Sequence, residues 1–528
     1  MNMPTSPFGV TQSFNPATGE SLGGIPNTNM DAFPQLVTEA REAQKIWGNM
    51  SFATRRKHIE KMRRYIVDNG DKIAGVISAE NGKTRQDALV TEVIPCSLAC
   101  AWYGKNAARI LKPESRSAGS IIFMQKHSRV VHLPLGVVGI ISPWNYPLSI
   151  PFGEVIMGLM AGNAVMLKVA AATPLVGQVI DDIVSAGDLP KGLFTHVVGS
   201  GGAVSTAMFD NRFDKVFFTG SVPTGKQLMA QAAPTLTPLS LELGGKDAMV
   251  VLEDADLERA TNGAMWGGFQ NAGQSCAAVE RIYVHAKVYD EFMALMKAKT
   301  KALRHGVGTE PGKTDIGCMT TEKQLQTVQH QLQDAVEKGA VIEAQSHAVG
   351  DTENGLFHPA TLISNVDTSM EVMVEETFGP ILPVEKFDNI DDAIARANDC
   401  SMALTASVWG NKGAHEVAEK LVAGVVAVND HLMTHGMSEM PWGGPKESGL
   451  GRTHGPEGLL EMTRTQGITW DRFKGKRNLW WYPQDENSYA ALQAALVMGN
   501  TRNPITFIAS AFKVMPAMIK GMLSTWKP

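Results

Sequence analysis

From about Val131 onward, short runs of apolar and β-branched residues alternate with stretches whose apolar positions recur at helical spacing. Ala164 to Lys168, Leu193 to Val198 and Lys215 to Phe218 read as strands, with Thr173 to Ala186 and Thr224 to Ala233 as the helices that cross between them. This alternation predicts βαβ units on a parallel sheet, a doubly wound Rossmann-like α/β domain. A second α/β series follows, with Ala248 to Leu252, Arg281 to His285 and Val425 to Asn429 as strands and Leu257 to Phe269 and Val288 to Leu303 as helices. Ile121 to His132 is β-rich and lies between helical regions, so it reads as an arm that pairs outside its own domain. No internal repeat or low-complexity tract interrupts the pattern.

After Arg472 the pattern changes. Trp480 to Pro483 is an aromatic cluster, and beyond Glu486 no acidic residue occurs although Arg502, Lys513, Lys520 and Lys527 do. Phe507, Phe512, Met515, Met518, Ile519, Met522 and Leu523 would line one side of a helix, a pattern compatible with a membrane surface. The alternative is a C-terminal helix packed on its own or a neighbouring subunit, which Pro516 would kink.

Composition narrows the function classes. With 528 residues the chain exceeds what one hydrophobic core supports, so several domains are expected. A formal net charge of -5 gives no electrostatic reason to gather on nucleic acid. The five cysteines, Cys96, Cys100, Cys276, Cys318 and Cys400, are odd in number and thinly spread, which argues against a disulfide framework and for a reducing cytoplasm. Cys96 and Cys100 stand four apart but have no second Cys/His pair at zinc-ligand spacing, so no metal site is expected. The first thirty residues lack a cationic start followed by an apolar run, and no eighteen-residue uncharged apolar run occurs; neither export nor a membrane-spanning helix is expected.

Several short segments carry candidate chemistry. Cys276 lies in Gly273-Gln274-Ser275-Cys276-Ala277, whose small neighbours would leave a thiol approachable and the floor beneath a substrate roomy; an inert buried cysteine is the plainer reading. Glu242, in Leu241-Glu242-Leu243-Gly244-Gly245-Lys246, is a carboxylate between leucines, an environment that raises a carboxyl pKa towards that of a general base. Its alternative is a solvated turn charge paired with Lys246. Asn145, in Pro143-Trp144-Asn145-Tyr146-Pro147, sits on a backbone fixed by two prolines and could donate its amide to an oxyanion or simply form a turn. Phe218-Thr219-Gly220-Ser221-Val222-Pro223-Thr224-Gly225 runs from a strand end through a glycine turn into a helix, where backbone amides can meet a pyrophosphate. Glu376-Thr377-Phe378-Gly379-Pro380 offers a carboxylate for ribose hydroxyls and a ring for a flat nicotinamide, or else a solvated acidic turn.

Taken in order, PWNYP, FTGSVPTG, LELGGK, GQSC, EETFGP and PWGGPKESGLGR closely resemble the signature series of the aldehyde dehydrogenase superfamily, over roughly Phe14 to Thr465. The resemblance implies an NAD(P)-dependent oxidation of an aldehyde to an acid. Cys276 would form a thiohemiacetal and then a thioester, Asn145 and the Cys276 amide would hold the oxyanion, and Glu242 would activate the hydrolytic water. Lys168 and Glu376 would hold the riboses, Gly220 and Ser221 the pyrophosphate with Gly225 and Leu243 beside them, Phe378 the nicotinamide and Trp144 the cleft wall. The implied fold is a cofactor domain at 1–112 and 133–244, an α/β catalytic domain at 245–461, and an oligomerisation arm at 113–132 and 462–474 of a homodimer or homotetramer. Residues 475–528 form an extension. Ala171, where NAD-preferring relatives often carry a glutamate, leaves NAD and NADP both admissible. Two rivals stand beside this reading: a CoA-acylating enzyme, against which Glu242 argues, and a catalytically silent protein on the same fold.

Overall fold

The structure is a computed structural model in which residues 7–524 are described; Lys527 and the first six positions of the N-terminal stretch lie outside them. The chain divides into two compact units, Met1–Ile110 with Pro134–Thr463, and Leu111–Leu133 with Arg464–Pro528.

Two sheets organise the first unit. In the six-stranded sheet the order is Gly449–Leu450, Leu239–Glu242, Lys215–Thr219, Val137–Ile141, Ala164–Lys168, Phe194–His196. The pairs are parallel except Gly449–Leu450, which runs antiparallel to Leu239–Glu242. Three of the inner strands are buried at every residue, which is why they read as unbroken apolar runs rather than alternations. The crossover helices Pro174–Ser185 and Val222–Ala232 lie where the spacing predicts them, each with a proline in the first turn. The doubly wound expectation holds.

The seven-stranded sheet has the order Val341–Gln345, Thr361–Ser364, Ile381–Phe387, Val279–His285, Asp247–Val251, Thr405–Trp409, Val425–Val428, parallel apart from its first pair. Successive side chains enter different cores. Met249, Val251, Ile282 and Val284 pack with Phe269 and Phe292, whereas Ala248, Val250 and Tyr283 pack with Phe387 and Val417, the period-two division of a sheet covered on both faces.

The second unit is a three-stranded sheet, Thr463–Asp471, Lys126–Pro134 and Glu114–Arg116, together with the helices Glu486–Asn500 and Pro504–Leu523. The β-rich segment expected from Ile121 to His132 begins later: Ile121–Phe123 is a 3₁₀ turn and the strand starts at Lys126. Gln125 meets Asn478 through side-chain amides, and Lys126 pairs with Asp471 at 2.6 Å, so arm and extension belong to one folded body. The final helix runs through Pro516, and it packs mainly through a side other than the apolar stripe, of which Met518 alone is buried. Ser510, Val514, Met518 and Gly521 are buried, and with Ala491, Ala494 and Met498 they show a helix pair meeting through mostly small residues. Phe507, Phe512, Ile519 and Leu523 remain exposed. This helix of 20 residues is, by length and composition, apolar enough to cross a membrane; the uncharged-run criterion passed it over because Lys513 and Lys520 interrupt it.

Candidate active site

The six-stranded sheet delivers its chemistry along one edge. Ile141 is in register with Lys168 on one side and Phe218 on the other, and Thr219 is in register with Glu242. The strand ends leading to Asn145, Gly220 and Glu242 therefore lie side by side at the carboxyl edge, where open α/β sheets place their ligands. Lys168 closes its own strand there, 7% exposed, with burial lowering the pKa of its amine.

A cavity of about 220 Å³ gathers most of the predicted residues, Trp144 and Asn145, Gly220 and Ser221, Glu242 and Leu243, Glu376 and Phe378, and Cys276, whereas Lys168 does not line it. Gly225 stands behind it on the helix Val222–Ala232, where a Cβ would meet the Leu243 side chain at 2.8 Å. The residues fit a dinucleotide. Thr219 Oγ1 and Asn145 Oδ1 are buried without a partner among the described residues, Ser221 stands at the helix start with its hydroxyl against Thr224 Oγ1 at 3.0 Å rather than on a backbone amide, and Trp144 meets Phe378 edge to face at 5.5 Å. Polar atoms buried without partners are rare in folded proteins and call for a ligand or water.

Glu242 is 4% exposed, and neither carboxyl oxygen has a hydrogen-bond partner among the described residues. Burial, and next the Glu154 carboxyl, push its pKa well above the ordinary range, while Arg452 pulls the other way. The solvated pair with Lys246 does not form. Lys246 is fully buried and binds Glu280 at 2.5 Å and Thr377 Oγ1 at 3.0 Å, and Glu280 also accepts the amides of Thr377 and Phe378 at 2.8 and 2.9 Å. A buried ion pair satisfied on this many sides holds two loops in fixed relation. Glu376 is half-buried rather than a solvated turn charge; it accepts Gly245 N at 3.1 Å, and loss of water around it, followed by Glu280, raises its pKa to about 8.

PWGGPKESGLGR clamps the strand that carries Glu242. Gly449 pairs with Glu242, Leu243 N donates to Ser448 O at 2.9 Å, and Ser448 Oγ donates to Gly244 O at 2.7 Å. Gly443, at φ 129°, leaves room for the carboxyl: a Cβ there would stand 2.6 Å from Glu242 Oε1. Gly245 has the same function towards the Cys276 loop, since its Cβ would lie 2.5 Å from the Cys276 carbonyl oxygen. Both positions require glycine for close approach rather than for turning alone.

Cys276 is half-buried where three cavities meet. Besides the cavity already described, it borders an apolar one of about 130 Å³ and a small polar one of about 10 Å³, which Glu242 and Glu154 share with His435 and His454. Burial, followed by Glu376, Asp247 and Glu242, holds the thiol pKa well above its ordinary value, and its own backbone amide opposes this. The small neighbours Ser275 and Ala277 are both buried and line the apolar cavity.

The Aldehyde dehydrogenase family model matches residues 4–468. A 4,4'-diapolycopene aldehyde oxidase of Methylomonas sp is 38% identical over 478 residues, 90% of this chain and 88% of that protein. A putative NADP(+) succinate-semialdehyde dehydrogenase of Mycolicibacterium smegmatis is 36% identical over 86% of this chain and 87% of its own length. The NAD+ complex of an aldehyde dehydrogenase from Bacillus cereus superposes with a TM-score of 0.82 at 31% identity, covering 88% of this chain and 93% of that one.

The chain belongs to the aldehyde dehydrogenase family.

Within this aldehyde dehydrogenase the motifs were legible, but several residues around them were not. Lys83, fully buried, binds Glu92 at 2.7 Å and donates to the Asn145 carbonyl at 2.8 Å; Asn271 Nδ2 donates to that carbonyl at 3.0 Å, and Glu92 accepts Leu148 N at 2.7 Å. These bonds, not the prolines alone, aim the PWNYP turn. Glu154 sits on the wholly buried helix Ser149–Ala161, where burial raises its pKa to about 8. A charged residue inside an otherwise apolar helix was the available signal for it. Cys96 and Cys100 are buried thiols on the helix Ile94–Ile110.

Proposed function

We propose that this enzyme oxidises an aldehyde to the free carboxylic acid with NAD or NADP, using Cys276 as nucleophile and Glu242 as base. The observation that carries the reading is that a half-buried cysteine and a carboxyl whose two oxygens have no hydrogen-bond partner among the described residues border one cavity. The Cys276 thiol gives up its proton to solvent, its sulfur bonds to the aldehyde carbon, the carbonyl oxygen becomes an oxyanion held by the Asn145 amide, and a thioester results when the C–H electron pair departs. The oxidised dinucleotide, when bound, accepts that pair as hydride. Glu242 takes a proton from water, the resulting hydroxide adds to the thioester carbon, and the C–S bond breaks to return the sulfur. Lys168 and Glu376 bind riboses, Gly220 and Ser221 the pyrophosphate at the helix start, and Trp144 and Phe378 border the nicotinamide. Ala171, exposed beyond Lys168, neither binds a 2′-hydroxyl nor repels a 2′-phosphate, so both dinucleotides are accepted.

Product analysis decides the hydrolytic step. Free acid with and without coenzyme A supports it, acyl-CoA formation would replace it, and no NAD(P)H from any aldehyde would leave a silent protein.

We also propose a homodimer or homotetramer in the cytoplasm whose tail rests on anionic membrane. Ile505, Phe512, Ile519 and Leu523 are exposed beside Lys513 and Lys520 on one helix, and beyond Glu486 no acid offsets those lysines. Sedimentation with anionic vesicles tests it. Full-length protein should pellet, a chain ending at Lys474 or carrying Phe512→Asp should not, and equal partitioning of all three overturns the docking.

A further inference from the structure

We propose that the aldehyde carries a long, uncharged apolar chain, seated in the apolar cavity beside Cys276 and continuing over an apolar collar at its mouth. This inference rests on the catalytic reading above and names the substrate class for that site. The cavity reaches the thiol from the side opposite in character to the cofactor cleft: its walls include Tyr146, Trp266, Leu432 and Trp442, and no lysine or arginine lines it. His435 is the one basic side chain in the lining, and burial, with His454 beside it, holds its pKa well below the ordinary value, so it stays neutral.

The cation that lies against the lining residue Tyr146 offers nothing to a substrate carboxylate. Lys83 lies over the Tyr146 ring at 4.2 Å, but its ammonium is taken by Glu92 and the Asn145 carbonyl. Arg452 acts on Glu242 and donates to the Gly451 carbonyl at 2.6 Å without lining the apolar cavity. A carboxylate drawn into this space would be stripped of water and left unpaired, whereas a methylene would gain by entering.

At the mouth, Val90, Ile94 and Leu98 stand four residues apart and so share one face; they are 40, 44 and 52% exposed, and Met433, also lining the cavity, is 47% exposed. Helix surfaces facing water are normally polar, and a continuous apolar strip leading into a cavity marks a surface that an apolar ligand covers. Together these features separate this site from one built for a short dicarboxylic semialdehyde.

The test is kcat/KM of the full-length enzyme for the n-alkanals from butanal to decanal and for succinate semialdehyde, with saturating NAD or NADP. The expected series rises by up to about fourfold per methylene until the chain outgrows cavity and collar, with succinate semialdehyde at least ~10-fold below butanal. A flat series, or succinate semialdehyde equal to butanal, overturns the proposal while leaving the catalytic reading in place. Failure to oxidise any aldehyde, butanal included, removes the catalytic reading and the proposal with it. Ile94→Arg, at an exposed position, should lower the decanal-to-butanal ratio and raise the succinate semialdehyde rate; an unchanged ratio rules out the collar.

Discussion

The two larger spaces that meet at Cys276 are built on opposite principles. On the cofactor side, polar atoms are buried without partners among the described residues: both Glu242 oxygens, Asn145 Oδ1 and Thr219 Oγ1. On the other side, aromatic and aliphatic side chains line a space whose one basic side chain is a neutral histidine. Unpaired polar groups carry a desolvation cost that a ligand or water must relieve, while an apolar pocket gains from any apolar occupant of the right width. Cys276 thus joins a site that specifies its ligand atom by atom to one that selects by polarity and length.

Cys276→Ala tests that junction hardest. Aldehyde-dependent NAD(P)H formation should fall by ~10⁴-fold or more, while titration of the cofactor by fluorescence should still saturate, because the polar side is intact. Activity near the parent's would refute the covalent route.

Glu242→Gln should cost ~10²–10⁴ in steady-state turnover yet retain a first-turnover burst of NAD(P)H, with the acyl adduct on Cys276 visible by mass spectrometry. The pH dependence has a definite sign. A carboxyl whose pKa is raised is a base only above that raised value, and the Cys276 thiol is shifted the same way, so parent activity should climb from neutral to alkaline pH. A profile that falls over this range would contradict the burial of both groups.

Asn145→Ala should lower kcat by ~10²–10³ with little change in cofactor binding, as measured by steady-state kinetics; a pure KM effect would make Asn145 a wall of the cleft instead of an oxyanion donor. The smallest effect is expected at the outer end of the polar side. Ala171→Glu should raise KM for NADP relative to NAD by ~10-fold or more through like-charge repulsion, and an unchanged ratio would place the adenosine ribose elsewhere.

How much of this was readable beforehand follows the same division. Cys276, Glu242 and Glu376 sit in glycine-flanked segments of fixed order, and glycine marks close backbone approach, as Gly245 beside the Cys276 carbonyl illustrates. The collar gave no such sign. Val90, Ile94 and Leu98 read as ordinary helix residues, because periodicity reports which positions share a face but not whether that face meets a core or a cavity mouth. Lys83 and Glu92 were silent for a related reason: a lysine and a glutamate nine positions apart look solvated until the fold buries both. In the tail, apolar spacing gave the stripe that stays largely exposed, while the face that meets the neighbouring helix through Ser510 and Gly521 had no such spacing to mark it.

By itself the sequence determined the local matters: which runs become buried parallel strands, where crossover helices begin, and which short motifs bear a thiol, a carboxylate and an amide. Those depend on residues a few positions apart, so their spacing is written directly in the chain. Tertiary structure alone decided that Lys246 binds Glu280 rather than Glu242, that Glu154 raises the Glu242 pKa, and that the space beyond the thiol is apolar. Burial and pairing are set by neighbours that come from distant parts of the chain, and in a densely packed interior each such neighbour changes the energy of a charge far more than any adjacent residue does.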